Sequence, residues 1–206
     1  WIVEGGYCDI NLPKEWFEIE RTIILTEGKF DAYVLENIIS LLYPHLKKCF
    51  YFMDFDMPKY NGSTSFLTHY IKAFIGVKIK NRIIGLYDND SAAIAELENL
   101  RTITEMPSNI KIMKLPYINI AQNYPTIGPT DINYMDINGL ACSIELFLGS
   151  DILKDETGNF EPIRWKSYID RIKKYQGEIQ NKSLIQDRFR EKIKEQKKII
   201  MKKCIY

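Results

Sequence analysis

The sequence has few of the residues that build zinc sites and disulfide frameworks. It contains four cysteines (Cys8, Cys49, Cys142 and Cys204) with no Cys-x-x-Cys pair, and only two histidines. This scarcity argues against a structural zinc site and against a disulfide scaffold. We interpret the cysteines as mostly reduced core residues of a cytoplasmic protein. No apolar run approaches the roughly 20 residues of a membrane-spanning helix, and no signal-peptide pattern is recognised at the start.

Several motifs with known chemistry are also missing. The sequence has no Gly-x-x-x-x-Gly-Lys-Ser/Thr loop, which excludes a P-loop ATPase site in this chain. It has no Gly-x-Ser-x-Gly nucleophile elbow either. We interpret the 3 tryptophans and 13 tyrosines as mostly core and loop packing. They form no regular pattern typical of a stacking platform for single-stranded nucleic acid.

The composition is that of a globular protein, but its charge is unevenly distributed. The hydrophobic share of 46% and the charged share of 27% argue against disordered and fibrous classes. Residues 182–206 hold nine basic and three acidic side chains, whereas the rest holds nineteen basic and twenty-four acidic ones. An acidic body therefore carries a basic tail, which indicates a contact with nucleic acid or an acidic partner. A solvated helix face is the alternative.

The middle of the chain alternates between strand and helix patterns. Short β-branched or aromatic runs predict four strands, and between them apolar residues recur at helical spacing. The predicted strands are Arg21–Thr26, Cys49–Met53, Arg82–Tyr87 and Ile110–Leu115. This order predicts an α/β, Rossmann-like fold whose central, mainly parallel sheet of about four strands is flanked by helices.

The remaining segments are assigned more coarsely. Residues 116–139 are predicted to be an irregular excursion, and Ala141–Leu148 a short helix. Trp165–Tyr175 and Ser183–Ile200 are predicted to be two further helices, the last with an apolar stripe. We divide the chain into a lead-in (1–20), an α/β domain (21–150) and a helical C-terminal extension with a basic tail (151–206). The chain starts at Trp1 rather than Met, as a fragment of a longer protein would.

Carboxylates follow two of the predicted strands. Glu27 and Asp31 come directly after the first strand, and Asp88 and Asp90 after the third. The carboxyl ends of parallel strands meet at one edge of a sheet, where ligands bind. We therefore expect these four side chains to converge. Each pair also has a simpler explanation, since acidic residues commonly cap helices and favour the helix dipole.

Converging carboxylates repel one another. Two like charges about 4 Å apart cost about 4 kcal/mol at an effective dielectric near 20. Such a cluster needs protons, basic partners or divalent cations. Oxygen ligands of this kind suit Mg²⁺ or Mn²⁺ better than zinc.

The residues at this edge resemble a known family. Glu27-Gly28-x-x-Asp31, followed by Asp88-x-Asp90 within Gly-Leu-Tyr-Asp-Asn-Asp-Ser-Ala-Ala, is similar to the Toprim domain. The similarity is greatest to its nuclease-type branch, the overcoming-lysogenisation-defect nucleases, over about residues 21–120. The segments 138–149 and 175–182 resemble Toprim proteins linked to HEPN-type domains in bacterial defence genes.

The resemblance implies roles for individual residues. Glu27 would be a metal ligand and a general acid or base, and Asp31, Asp88 and Asp90 would be metal ligands. Nuclease-type members use a further acidic residue and a lysine, for which the candidates are Glu145, with Asp136 as its substitute, and Lys182. Glu145 could instead be a solvated helix residue, and Lys182 a surface lysine at a helix start. Asp54 and Asp56 are assigned surface or supporting roles.

These features predict a nuclease that uses two Mg²⁺ or Mn²⁺ ions. One ion would activate water, the other would stabilise the leaving oxygen, and Lys182 would neutralise charge on the phosphoryl group. DNA is the favoured substrate, and bacterial anti-phage defence the setting that the resemblance implies. The DNA backbone would be held by basic residues of the tail, namely Arg188, Arg190, Lys194 and Lys197. The expected partners are an upstream HEPN-type domain or a partner subunit, and the chain could form an oligomer. The alternative is a non-catalytic, metal- or nucleic-acid-binding regulatory module that docks a partner subunit.

Overall fold

The computed structural model describes residues 21–53 and 64–203, and of residues 200–203 only the backbone. The lead-in (1–20), Asp54, Asp56 and Cys204 lie outside the described residues. The described α-helices are α1 (Lys29–Leu42), α2 (Thr64–Gly76), α3 (Ser91–Arg101), α4 (Ser150–Leu153) and α5 (Lys182–Lys203). The described strands are β1 (Thr22–Thr26), β2 (Phe50–Phe52), β3 (Ile83–Tyr87), β4 (Asn89–Asp90), β5 (Ile110–Lys114), β6 (Tyr124–Ile127), β7 (Ile132–Met135), β8 (Ala141–Cys142), β9 (Ile163–Ile169) and β10 (Lys174–Ile179).

The central sheet has four strands in the order β2-β1-β3-β5, all parallel. Each crossover carries a helix, as parallel pairing requires. The predicted α/β class and four-stranded parallel sheet are therefore confirmed, and the sheet is consistent with a Rossmann-like fold. Close packing of α2 on the sheet depends on Gly85 in β3, because a Cβ there would lie 2.6 Å from Ile71 Cδ1.

A second sheet was not expected from the sequence. Its order is β10-β9-β6-β7, and β4 and β8 form a separate two-stranded pair. The predicted irregular excursion at 116–139 thus contains the β6–β7 hairpin. The predicted helix at Ala141–Leu148 is wrong in its first part, since strand β8 precedes a short 3₁₀ helix at Ile144–Phe147.

The predicted helix at Trp165–Tyr175 is also wrong. This segment belongs to the antiparallel hairpin β9–β10, so the C-terminal extension is not wholly helical. Its Trp, Tyr and Ile residues favour strands, and the turn places Lys173 at a left-handed φ of 52°. The predicted helix runs across the end of β9, the turn and the start of β10. The sheet that holds these strands also depends on β6, which pairs with β9 from 37 positions earlier in the chain.

The last helix closes the core against the first. The predicted apolar stripe is confirmed for Ile185, Phe189 and Ile193, which are buried with Phe30 and Val34 of α1. The ring centroids of Phe30 and Phe189 lie 5.9 Å apart, edge to face. This packing holds the start of α5 beside the carboxyl edge of the central sheet. Within the described ranges, no helix combines the length and apolar character needed to cross a membrane.

Candidate functional site

The order in which strands are added to the central sheet reverses between β1 and β3. From β1 the chain goes first to one side, to β2, and then to the other, to β3 and β5. In open α/β sheets, ligands bind in the crevice at such a switch point. Glu27 follows β1 and Asp88 follows β3. The Glu27 Oε1 atom accepts a hydrogen bond of 2.8 Å from the backbone N–H of Asp88, so the two strand ends meet at this crevice.

The crevice opens into a cavity of about 750 Å³. Four of the predicted ligands line it, Glu27, Asp31, Asp88 and Asp90, and so does Lys182. The structure therefore brings together residues that are up to 155 positions apart in the sequence.

Asp31 and Asp90 also cap helices, as the simpler explanation proposed. The Asp31 carboxylate accepts a hydrogen bond of 2.9 Å from the backbone N–H of Gly28, at the start of α1. The Asp90 carboxylate accepts one of 2.8 Å from the backbone N–H of Ala93, in the first turn of α3. Capping and a position in the cavity are thus combined in the same side chains.

The electrostatics of the cavity favour protonated carboxyl groups. Burial, followed by repulsion from Asp90, raises the pKa of Glu27 from 4.5 to about 8. Burial and the charge of Glu145 raise the pKa of Asp31 from 3.8 to about 7. Burial and the neighbouring acids raise the pKa of Asp88 well above its usual range, and burial raises that of Asp90. When all four groups are ionised, the cluster therefore carries more negative charge than its surroundings stabilise.

Lys182, which lines the cavity, forms an ion pair with Glu145 behind the cavity wall. The Lys182 Nζ atom lies 3.4 Å from Glu145 Oε1. Glu145 is fully buried and accepts hydrogen bonds from Ser143 Oγ at 2.6 Å and Gln186 Nε2 at 2.9 Å. The solvated-helix alternative for Glu145 is therefore wrong. Asp136, its substitute, is exposed, does not line the cavity and accepts hydrogen bonds from Asn138.

Lys182 supplies positive charge to the cluster. Burial acts against its charge, but the attraction of Glu145, Asp88 and Asp31 outweighs this and raises the pKa of the Lys182 ammonium. Lys182 is the first residue of α5 and its side chain is 36% exposed, as the surface alternative expects, but its ammonium group also pairs with Glu145. One lysine does not offset the cluster, since four of its carboxyl groups keep a raised pKa.

Polar residues from distant elements hold these carboxylates, and the sequence did not identify them. Gln176 of β10 donates to Asp90 Oδ2 at 2.7 Å and accepts a hydrogen bond of 2.8 Å from the backbone N–H of Ala92. Thr64 Oγ1 donates to Glu27 Oε2 at 2.5 Å. Gln176 lies in the segment 175–182, on which the family resemblance rests in part. The sequence offers no comparable signal for Thr64.

The chemistry of these donors fits a hard divalent cation, although their arrangement is not that of a ready-made site. Carboxylate oxygens are the ligands that Mg²⁺ and Mn²⁺ prefer, and the crowded negative charge favours a cation. Within the described ranges, no three His, Cys, Asp or Glu side chains form a group that could hold a metal ion as they stand. The carboxylates instead accept hydrogen bonds from Thr64, Gly28, Ala93 and Gln176.

The basic residues of α5 that were predicted to hold nucleic acid mostly have partners within the chain. Arg188 donates to the backbone carbonyls of Ile152 and Lys154, at 3.2 and 2.9 Å. The Arg190 guanidinium lies 5.2 Å from the ring centroid of Phe30. Lys197 donates to Asn37 Oδ1 at 2.6 Å, and Lys194 is exposed. Contacts with a partner would therefore compete with internal contacts at three of these four positions.

Comparison with known proteins adds no relative. No protein-family model, curated protein or solved structure matches the chain.

Proposed function

We propose that the protein is a divalent-metal-dependent nuclease of the Toprim type that hydrolyses phosphodiester bonds in nucleic acid, with DNA the favoured substrate. One observation carries the proposal: Glu27, Asp31, Asp88 and Asp90 line one cavity at the switch point of a parallel sheet, and each has a raised pKa. Carboxylates placed in this way are stabilised by divalent cations. The choice of the Toprim family, and of DNA, rests on the sequence resemblance.

The residues of the cavity divide into ligands and supporting groups. Glu27, Asp31, Asp88 and Asp90 would hold Mg²⁺ or Mn²⁺, with Glu145 behind them. When bound, such ions polarise a phosphoryl oxygen and lower the pKa of water. Gln176 and Thr64 hold Asp90 and Glu27 in place. Lys182, charged and facing the carboxylates, is placed to stabilise negative charge that develops on the phosphate.

Glu27 is the best candidate for moving a proton. In the metal-free protein burial and the neighbouring Asp90 raise the pKa of Glu27, and a bound cation would act against this shift. A general acid or base must lie within hydrogen-bond reach of the proton that it moves. Thr64 and the backbone N–H of Asp88 hold the two oxygens of Glu27, so its carboxyl group is oriented.

The test is a nuclease assay on plasmid DNA, linear duplex DNA, single-stranded DNA and RNA with Mn²⁺. We compare the wild-type protein with Asp88→Asn and Glu27→Gln, which keep side-chain shape and remove charge. Each variant should lose at least about 100-fold in cleavage rate, more than the 10–100-fold typical when a residue behind a metal ligand is lost. Asp131→Asn is the matched control, because Asp131 is an exposed acid outside the cavity.

Two results would count against this function. Equal cleavage by the wild type and both variants would show that the activity does not come from this cavity. Calorimetric binding of Mn²⁺ without cleavage of any of the four substrates would favour the alternative, a non-catalytic regulatory module. The internal counter-ion Lys182 is the observation that fits this alternative, since it already stabilises part of the cluster.

A further inference from the structure

An aromatic groove lies on the second sheet, apart from the acidic cavity. It encloses about 720 Å³, and its walls include Trp165 of β9, Tyr175 of β10 and Met135 of β7. The ring centroids of Trp165 and Tyr175 are 6.3 Å apart, and those of Tyr168 and Tyr175 are 5.0 Å apart. Tyr175 is 57% exposed and Tyr168 45% exposed. Two exposed tyrosine rings thus adjoin the half-buried ring of Trp165 at the surface.

The groove is positively charged. Lys173 and Lys174 line it, and no Asp or Glu is found among the described residues that form its walls. Lys114 lies outside the walls of the groove and donates a hydrogen bond to Asn89; burial, together with the ammonium group of Lys174, lowers the pKa of Lys114. Neighbouring ammonium groups repel each other, and an anion between them relieves that repulsion. An apolar aromatic wall beside such a group suits a ligand that has both a flat ring and a negative charge.

The groove and the acidic cavity share one thin wall. Adjacent residues of the β9–β10 hairpin line different cavities: Trp165 and Tyr175 line the groove, whereas Lys166 and Gln176 line the acidic cavity. Consecutive side chains of a strand point to opposite sides of the sheet. The backbone of Tyr175 is itself tied to the site, because its carbonyl accepts a hydrogen bond of 2.8 Å from Ser91 Oγ, next to Asp90.

We propose that this groove binds single-stranded nucleic acid, with a base stacked on Tyr175 and bordered by Trp165, and with its flanking phosphates held by Lys173 and Lys174. Aromatic side chains bind bases of any sequence through their π-faces, and basic side chains follow the backbone. In a duplex the bases are stacked on each other and their faces are not accessible. That the ligand is nucleic acid rests on the proposed function. The groove adds that an unpaired strand is the preferred form of this substrate.

The experiment measures binding of labelled oligonucleotides by fluorescence anisotropy in EDTA, so that no metal-dependent cleavage interferes. The probes are a single-stranded DNA, a single-stranded RNA of the same sequence and the corresponding DNA duplex. Tyr175→Leu keeps apolar bulk and removes the π-face, whereas Tyr175→Phe keeps the ring. Tyr134→Leu is the matched control, because Tyr134 is a 63% exposed tyrosine of the same sheet outside the groove.

The wild type should bind single strands more tightly than duplex. Tyr175→Leu should weaken single-strand binding roughly 5- to 150-fold, the range that stacking on one aromatic residue covers. Tyr175→Phe and Tyr134→Leu should stay within about twofold of the wild type. The relative affinities of the two single strands then tell whether DNA or RNA is preferred.

Several results would overturn the inference. One is equal affinity in the wild type and Tyr175→Leu, another is an equal loss in Tyr134→Leu, and a third is tighter binding of duplex than of single strands.

A change from dimer to monomer in Tyr175→Leu, seen by light scattering, would show that a second copy of the chain occupies the groove. Tyr175-dependent binding without Mn²⁺-dependent cleavage would leave the groove standing and remove the nuclease. Cleavage that needs Asp88 but not Tyr175 would do the reverse.

Discussion

Asp88 has the least favourable surroundings of the carboxylates in the cavity. Burial and the charges of Glu27, Asp31, Asp90 and Glu145 all raise its pKa. One oxygen of Glu27 accepts a hydrogen bond from the backbone N–H of Asp88. The backbone of Asp88 thus stabilises Glu27, while the carboxylate of Asp88 is repelled by the neighbouring acids. Such an arrangement weakens the metal-free fold and is typical of residues retained for binding rather than for stability.

The Asp88→Asn variant should therefore be more stable than the wild type when no metal is present. At pH 8 we expect a higher free energy of unfolding, because the amide replaces a carboxyl group whose ionised form is destabilised by burial and by the neighbouring acids. Urea unfolding in EDTA measures it. Asp131→Asn, in which an exposed acid is lost, should change stability by less than about 0.5 kcal/mol. A destabilised Asp88→Asn would mean that the charge of Asp88 is better stabilised than its surroundings indicate.

At the scale of elements, the β9–β10 hairpin and the start of α5 complete the site. Gly177 lets the hairpin approach closely, because a Cβ there would lie 2.9 Å from the Cβ of Ala141. This approach brings Gln176 to Asp90 and to the first turn of α3. In α5, Lys182 and Gln186 are one helical turn apart and both contact Glu145. Two elements from the end of the chain thus hold carboxylates that the central sheet presents.

We expect Gln176→Leu to weaken Mn²⁺ binding about 10- to 100-fold, as is typical when a residue that orients a metal ligand is lost. The leucine neither donates to Asp90 nor accepts from the backbone N–H of Ala92. Calorimetric titration with Mn²⁺ measures the dissociation constant. Gln122→Leu serves as the comparison, because Gln122 is exposed and lies outside the cavity. An unchanged constant in Gln176→Leu would contradict the proposed role of the hairpin.

At the scale of the whole molecule, the acidic cavity makes stability depend on pH. The folded protein keeps protons on Glu27 up to a pKa of about 8 and on Asp31 up to about 7, whereas unfolding returns these values to 4.5 and 3.8. Between these limits the folded state binds more protons than the unfolded state. The free energy of unfolding of the metal-free protein therefore falls as the pH rises from about 3.8 to about 8.

The expected slope is up to about 1.4 kcal/mol per pH unit for each proton of difference. Urea titrations in EDTA across this range measure it, and Glu27→Gln should flatten the upper part of the curve. The acids with a lowered pKa, Asp136, Asp151 and Asp155, act below this window and do not change its sign. Saturating Mn²⁺ should reduce the slope, because it binds the ionised carboxylates of the folded state. Stability that rises with pH in EDTA would contradict the raised pKa of the buried carboxyl groups.

The sequence by itself determined the central sheet and the residues at its edge. The buried runs at β1 and β3 have a strong local pattern, and the carboxyl ends of neighbouring parallel strands must meet. Glu27, Asp31, Asp88 and Asp90 could therefore be placed together without any structure. Their local roles as helix caps followed from the same few residues.

Only the tertiary structure decided what surrounds these carboxylates. The β9–β10 hairpin lies where the sequence predicts a helix, because its place depends on the sheet in which β9 pairs with β6, 37 positions earlier in the chain. Gln176 and part of the walls of the aromatic groove belong to this hairpin. The ion pair of Glu145 and Lys182 depends likewise on how α5 packs against the 3₁₀ helix that carries Glu145. Burial and charge proximity, which set the pKa of each acid, are properties of the folded assembly and have no local signature in the sequence.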